Sequence, residues 1–402
     1  MKPNNSRLKT RVRLLDLLSQ PGPFTRATRT AAGLGPGVSN RAEPQLAASG
    51  VISVGDDGTW ELGAKYGRML AFSATRERLR GALVHPDGRL IGDTVRQAGI
   101  SPRRGQRTSP TRYRDTATAM VTELLERYPS KAPLVGCVVA WPAAIEQATG
   151  EPKRFEGESR QKLRVRAAFA EAIERASRVS GVPVQVLNDA DAEALGETHF
   201  GVARGKSVVL LVKLCGGVGA ALVVDGRRHA GAFNESGELG HLAISEHDRF
   251  ELTGSDCSCG AKDHLECFAS GKAIIDACFP RDRTGSYNDL IAELEEGELS
   301  YDRANLLVNV GKVVGRALRP AAILLDPDAI VLASVPHRQE LLDGLRSELF
   351  EGLSFNVNRV DLRLGTSPGD GGDLTMLRGA GHLASQTYVL PGLREDLLPE
   401  RP

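Results

Sequence analysis

The chain is 402 residues long, 41% hydrophobic and 25% charged, with a formal net charge of +1. That balance is ordinary for a soluble globular protein of two or three domains, and it excludes a global electrostatic pull toward nucleic acid or membrane. Six cysteines are too few for a disulfide scaffold, and no unbroken apolar run follows Lys2, Arg7 and Lys9, so neither a secreted framework nor a signal peptide is expected.

The charge is uneven along the chain. Residues 1–50 carry eight basic side chains against Asp16 and Glu43, the profile of a nucleic-acid-binding end on a neutral body. Leu8, Val12, Leu15 and Leu18 recur at helical spacing and predict one apolar face. PGPF (21–24) ends that helix, Thr25 is placed to N-cap a second one closed by Gly33, and Pro36 stands where a third begins. VISVGDDGTWEL (51–62) predicts a hairpin around an Asp-Gly turn. Three helices and a hairpin make residues 1–66 a winged helix-turn-helix, its third helix in the major groove and its wing on the backbone. Arg26, Ser39, Asn40 and Arg41 are the expected DNA contacts, although Gly37 and Pro44 are poor helix residues inside the recognition helix. A small helical docking domain with a solvated basic face is the plainer alternative.

From residue 67 strand-like and helix-like runs alternate, an α/β pattern. LRGALVHPDGRLIGDTV (79–95) predicts a hairpin, TATAMVTELLERY (116–128) a helix and PLVGCVVAW (133–141) a buried strand. RVRAAFAEAIERAS (164–177) is helical, and VPVQVLNDADAEALGE (182–197) runs from strand into helix. VVLLVKLCGGVGAALVV (208–224) predicts strand, tight turn and strand, since Lys213 and a glycine pair interrupt it as a membrane span. NLLVNVGKVVGRALRPAAILLD (305–326) is a helix leading to the strand AIVLA (329–333). Each half opens with strands around a turn, which suggests duplicated lobes, and a cytoplasmic protein without membrane contact is expected.

Three cysteines crowd into SDCSCGAKDHLECFAS (255–270), where His264 follows Cys259 by five residues. Clustered thiols and imidazole are a metal signature in a reducing compartment. Taken in order, LNDADAEALGE (187–197), GGVGAALVVDG (216–226), GELGH (237–241), CSCG (257–260), HLE (264–266) and LDPDAIVLA (325–333) resemble the ROK family of repressors and sugar kinases. The resemblance covers residues 71 to about 390. It implies an actin/hexokinase-like (ribonuclease H-like) two-lobed body: a first lobe of residues 67–187 plus a C-terminal helix at about 373–392, and a second lobe of 188–372 with a zinc-binding loop.

The family's zinc ligands, one His from GE(I/L)GH and three Cys from CxCGxxGC, match His241, Cys257, Cys259 and His264, so a histidine replaces the third cysteine; Cys267 is a candidate substitute. Zinc accepts imidazole and thiolate alike, and four protein ligands leave no position for water, so the implied zinc is structural. Asn188, Asp189, Glu238, His241 and Glu266 match the family's sugar-holding positions, with Asp189 in the place of the kinases' general base. Asn188 and Asp189 could instead merely cap the following helix. The opposite wall departs from the family: its proline-glycine turn is Pro142-Ala143, and the charged EPKRFEGESRQKLR (151–164) replaces a polar and aromatic segment.

Kinases of this fold hold ATP with a DxGGT loop. Here Ser73-Ala74-Thr75-Arg76-Glu77 occupies it, without the acid or the glycine pair; Cys215 and Ala221, and Ala333 and Ser334, replace glycines elsewhere. The expectation is therefore a regulator that binds an operator and senses a sugar or sugar-like metabolite, as a homodimer or homotetramer, with no catalytic residue. Two alternatives stay open: an ATP-dependent sugar kinase using Asp189, and a regulator whose DNA-binding segment is vestigial.

Overall fold

The computed structural model describes residues 5–75, 78–98, 110–153, 164–279, 287–333, 336–351, 359–366 and 373–398. It opens with α1 (Asn5–Leu18), α2 (Arg26–Ala31) and α3 (Pro36–Ala48), then an antiparallel hairpin of β1 (Ile52–Val54) and β2 (Trp60–Leu62). Thr25 caps α2 through Thr28 N, and Pro36 stands in the first turn of α3, where a missing N–H costs nothing. Pro44 lies within α3 at an exposed position and does not end it. Trp60 is fully buried; its ring lies under the Arg29 guanidinium at 4.5 Å, and its indole N–H donates to Glu43 Oε2 at 2.6 Å.

The expected face of α1 is corrected. Of the expected stripe Leu18 is buried and Leu15 half-buried, whereas Leu8 and Val12 are 52% and 40% exposed and Leu14 and Leu17 are buried in their place. The run RLLDLL offers two stripes at helical spacing, and packing takes the one at 14, 17 and 18.

The chain falls in two compact units, and the N-terminal helices and hairpin belong to the first. Beyond the hairpin the first has one sheet of β3 (Arg68–Ala74), β4 (Arg78–Val84), β5 (Leu90–Ala98), β6 (Leu134–Trp141) and β7 (Val184–Asn188), in the order β5-β4-β3-β6-β7. β3, β4 and β5 form an antiparallel meander, and β6 lies parallel to β3. α4 (Pro110–Arg127) and α5 (Val165–Ser177) pack on each other, and Phe72 of β3 meets Phe169 of α5 with ring centroids 4.9 Å apart.

The second unit follows with α6 (Asp189–Phe200) and a sheet of β8 (Val208–Leu214), β9 (Val218–Val224), β10 (Arg227–Arg228), β11 (Ala329–Ala333) and β12 (Asp361–Leu364). Its order, β10-β9-β8-β11-β12, repeats that of the first: a three-strand meander, then strands added beside the first of them. This duplicated arrangement is the ribonuclease H-like, actin/hexokinase-like fold. α7 (Leu265–Ala269), α8 (Gly271–Cys278), α9 (Tyr287–Glu295), α10 (Tyr301–Leu325) and α11 (Gln339–Leu349) share one apolar core with β8 and β11. α12 (Asp373–Ala384), a π-helical turn (Ser385–Val389) and α13 (Leu390–Leu397) complete the chain.

The unit boundaries differ from the expected ones at three places, the first being that the N-terminal segment, expected as a domain of its own over 1–66, groups with the first unit. Residues 142–153 group with the second unit, because Ala143 and Ile145 lend their carbonyls to Asn188 and Asn234. At the C-terminal end the seam falls inside α12, after Gly379. Among the described residues no helix is long and apolar enough to cross a membrane.

Candidate metal centre and ligand site

The loop 255–267 is drawn into a small knot by main-chain bonds. Cys257 N donates to Ala261 O, and Gly260 N to Cys257 O. His264 stands immediately before α7 and pairs as a bridge with Ala243, which brings it beside His241. The four ligand atoms of His241, Cys257, Cys259 and His264 all lie within 4.8 Å of one another. His241 Nδ1 and His264 Nδ1 are 3.4 Å apart, Cys257 Sγ and His241 Nδ1 3.5 Å, the two Sγ atoms 3.4 Å, and Cys259 Sγ and His264 Nδ1 3.3 Å. Tetrahedral zinc bonds of 2.0–2.3 Å set ligand edges of about 3.3 Å for two nitrogens, ~3.5 Å for a mixed pair and ~3.8 Å for two sulfurs. The donor set therefore fits zinc in size and chemistry. Cys267, the candidate substitute, is not in the cluster: it is fully buried in α7, and its thiol points to Ala261 O at 3.5 Å.

Glu266 stands beside the loop, but its oxygens turn to the main chain. Oε1 accepts from Ser258 N at 2.7 Å, and Oε2 from Val218 N at 3.3 Å. Burial pushes this carboxyl up, and those donors outweigh it, leaving it below its ordinary value. Glu266 is thus a strut between the metal loop and the β8–β9 turn. His241 faces two ways: Nδ1 lies in the cluster, while Nε2 is 3.7 Å from Glu238 Oε2. Burial raises the Glu238 carboxyl despite His241, and Glu235 raises it further.

The remaining two candidates open α6. Asn188 is its N-cap: Oδ1 accepts from Ala190 N and Asp191 N, and Nδ2 donates to Ala143 O. Asp189 Oδ1 accepts from Ala190 N, and Oδ2 meets Lys213 Nζ at 2.9 Å. All these pieces converge on β9. Ala190 packs on Gly219, while Gly237 and Gly240 press so close to Ala220 and Val218 that a Cβ on either would strike a carbonyl oxygen. The α6 N-terminus, the 237–241 segment and Glu266 therefore share one platform in the second unit.

Lys213 is the residue that motif reading missed. It is buried in β8 with 4% of its side chain exposed, and Nζ also meets Glu193 Oε2 at 3.0 Å. Burial lifts the Glu193 carboxyl to about 7 against the pull of Lys213, and Asp191 to about 6 against that of Arg228, which lies 3.1 Å away. Glu197, fully buried, accepts from Thr366 N, Thr366 Oγ1 and Val202 N. The signal was present: Asp189, Glu193 and Glu197 stand four apart on one buried helix face, and one lysine interrupts an apolar strand.

In the N-terminal segment Arg26, Asn40 and Arg41 are exposed, with Arg41 Nε donating to Gly37 O of its own helix. Ser39 is corrected: it is 5% exposed and its hydroxyl donates to Leu34 O at 2.9 Å, so it packs α3 and is not available as a surface contact. The wing tip carries the exposed Asp56 and Asp57, charges that phosphates repel, which counts against the expected backbone contact there. In the first unit, Ser73 is a strand residue paired with Arg80, and Thr75 closes the β3–β4 turn by accepting from Arg78 N at 3.0 Å. Arg76 and Glu77 of the expected phosphate loop, Ser334, and residues 154–163 of the charged segment lie outside the described residues.

A duplicated ribonuclease H-like body with a His/Cys group that could hold a metal defines a class: the proteins of the actin/hexokinase-like fold. The sequence pattern of the ROK family matches residues 93–386, and the chain belongs to that family. It is 29% identical to the xylose repressor of Bacillus subtilis (strain 168) over 188 residues, 46% of this chain and 45% of that protein; it thus spans a little under half of that relative's length. It is 35% identical to the glucokinase of Streptomyces coelicolor over 95 residues, 24% of this chain and 28% of the enzyme. In fold it is similar to the crystal structure of a ROK family transcriptional regulator, a homolog of the E. coli MLC protein, at a TM-score of 0.69 and 19% identity, covering 97% of this chain and 99% of that one.

Proposed function

We propose that this ROK protein is a sugar-responsive transcriptional regulator without kinase activity. The observation that carries the reading is the ion pair on Asp189. A general base needs a free oxygen within hydrogen-bond reach of the attacking hydroxyl, and here the buried Lys213 ammonium already holds Oδ2. Ser73 in the strand ladder, in place of a phosphate-binding acid, supports the same conclusion, as does the similarity to a xylose repressor.

In this reading residues 1–66 bind an operator, with Arg26, Asn40 and Arg41 toward DNA, and a homodimer or homotetramer reads a two-fold-related site. Glu238 and His241 present an acceptor and a donor to a sugar or sugar-like effector, while Asn188, Asp189 and Glu266 hold the elements that carry them. Zinc on His241, Cys257, Cys259 and His264 supplies four strong bonds that set the loop's shape. An effector bound more tightly by the DNA-free state then shifts the equilibrium away from the operator.

The test is a fluorescence titration of the full chain against duplex DNA from its own upstream region, with and without D-xylose, D-glucose and N-acetylated hexosamines. Release of DNA by one sugar supports the reading. A second reading, an ATP-dependent sugar kinase, is favoured by the stretch similar to a glucokinase and by the presence of Asp189. A coupled assay with Mg-ATP and the same sugars separates them, and steady phosphate transfer would overturn the proposal.

A further inference from the structure

The β4–β5 turn of the first unit carries a carboxylate that serves the N-terminal segment. Asp87 has a side chain with 0% exposure. Its Oδ1 accepts from Arg89 N at 3.1 Å and lies 3.0 Å from His85 Nδ1. Its Oδ2 accepts from Arg89 Nε at 2.8 Å and from Gly22 N, in the link between α1 and α2, at 3.1 Å. A Cβ at position 22 would stand 2.8 Å from that oxygen, so only glycine permits the approach. Arg89 reaches onward, with Nη2 2.8 Å from Glu61 Oε1 on the wing strand β2. Burial pushes the Asp87 carboxyl up, and His85 and Arg89 outweigh it, so it stands below its ordinary value.

A second set of ties comes from the C-terminal segment. Tyr66 Oη donates to Asp396 Oδ2 at 2.6 Å, and Lys65 Nζ lies 2.7 Å from the same atom. Gln386 Nε2 donates to Ser19 O at 3.1 Å, and Ser385 Oγ donates to Pro86 O, beside Asp87, at 2.6 Å. Residues 19, 22, 61 and 65–66 are thus gripped at points along the whole segment. Such a grip resists rotation, where a single tether at residue 66 would allow it.

We propose that Asp87 is a positioning residue: with Arg89 and Asp396 it clamps residues 5–66 to the rest of the first unit, so that this segment turns as a rigid part of that unit. The orientation of Arg26, Asn40 and Arg41 is then set by the first unit and the C-terminal helix. The meaning of that orientation for DNA rests on the reading above, but the clamp itself does not.

The full chain and its Asp87→Asn variant are compared by amide hydrogen exchange and by fluorescence anisotropy decay of Trp60, in a Trp141→Phe background. Asparagine offers one acceptor oxygen where the carboxylate offered two, so in either amide orientation an N–H of Gly22 or Arg89 faces the NH2 group and the set of bonds breaks. Exchange at Gly22 and across β1–β2 rises about tenfold or more while α6, β8 and α10 keep their rates. Trp60, which decays with the tumbling of the whole chain in the parent, gains a fast nanosecond component. If Asp87→Asn does not fold, the double variant Glu61→Gln, Asp396→Asn, at two part-exposed carboxylates, gives the same readout. Unchanged exchange and decay in the folded variants overturn the clamp, as does a rise shared equally by α6 and β8. No DNA enters the experiment, so failure of operator binding leaves its outcome standing.

Discussion

Lys213 Nζ lies 2.9 Å from Asp189 Oδ2 and 3.0 Å from Glu193 Oε2, joining strand β8 to two successive turns of helix α6. One cation thus answers two carboxylates, one of them buried and one at the edge of the ligand platform. Lys213→Met keeps the length and removes the charge, leaving Glu193 and Asp189 facing each other. Loss of one partner from a buried ion cluster costs about 3–5 kcal/mol, and urea unfolding should register that loss. Adding Glu193→Gln to Lys213→Met should recover a substantial part of it, since the stranded buried charge is then gone. Additive costs would mean that the three groups do not act together.

The same cluster sets a pH dependence. Glu193 stands at about 7 in the folded chain against an ordinary value of 4.5. A carboxyl whose folded value is raised takes up a proton on folding, so its contribution is fully present below about 4.5 and is lost as pH rises through about 7. Asp87 and Glu266, held below their ordinary values, act in the opposite sense, so the informative quantity is a difference. Unfolding free energy of the parent minus that of Glu193→Gln should fall between pH 5 and 8, by on the order of 2 kcal/mol. A flat difference would show that Glu193 is ionised throughout.

The metal loop separates two residues that spacing alone could not. His264 Nδ1 lies 3.3 Å from Cys259 Sγ, whereas the Cys267 thiol turns to Ala261 O in the core. Purified chain should carry about one zinc by elemental analysis. Cys267→Ser should retain it, and His264→Ala should lose most of it. Chelation of the parent should loosen the loop, speeding exchange at Ser258 and Val218, whose N–H groups bond Glu266. Zinc retained in His264→Ala but lost in Cys267→Ser would reverse the assignment.

What could be read in the sequence was local in the chain. The candidate ligands Cys257, Cys259 and His264 lie within eight positions of one another, and the GELGH motif supplied His241, so the His/Cys group that could hold a metal was readable before any fold was known. The strands of both sheets announced themselves as apolar runs bounded by turns, and the duplicated order followed from their repetition. Lys213 was visible only as an interruption, because its meaning lies in a pairing with helix residues twenty or more positions away. Asp87 was harder still: in the sequence it is one more aspartate in a turn, and its partner Gly22, like the Glu61 that Arg89 reaches, belongs to another part of the chain. The stripe on α1 went astray because RLLDLL satisfies two helical faces, and only the neighbours decide between them.

Ser39 and Arg41, two positions apart on α3, should give opposite signatures. The Ser39 hydroxyl is buried on Leu34 O, the last residue before the α3 N-cap, and it ties the start of α3 to the end of the preceding turn. Ser39→Ala removes one buried hydrogen bond, so it should lower the stability of the chain by about 1 kcal/mol in urea unfolding. Its effect on the salt dependence of DNA binding should be nil, because no phosphate contact is lost. Arg41 is exposed, and its guanidinium is anchored through Nε to Gly37 O with its outer nitrogens free of that bond. Arg41→Ala should leave stability within ~0.5 kcal/mol and reduce the slope of log affinity against log salt by about one phosphate contact. The same should hold for Arg26→Ala at the start of α2. If Ser39→Ala weakens DNA binding while Arg41→Ala leaves it intact, the face of α3 turned toward DNA is the opposite of the one described.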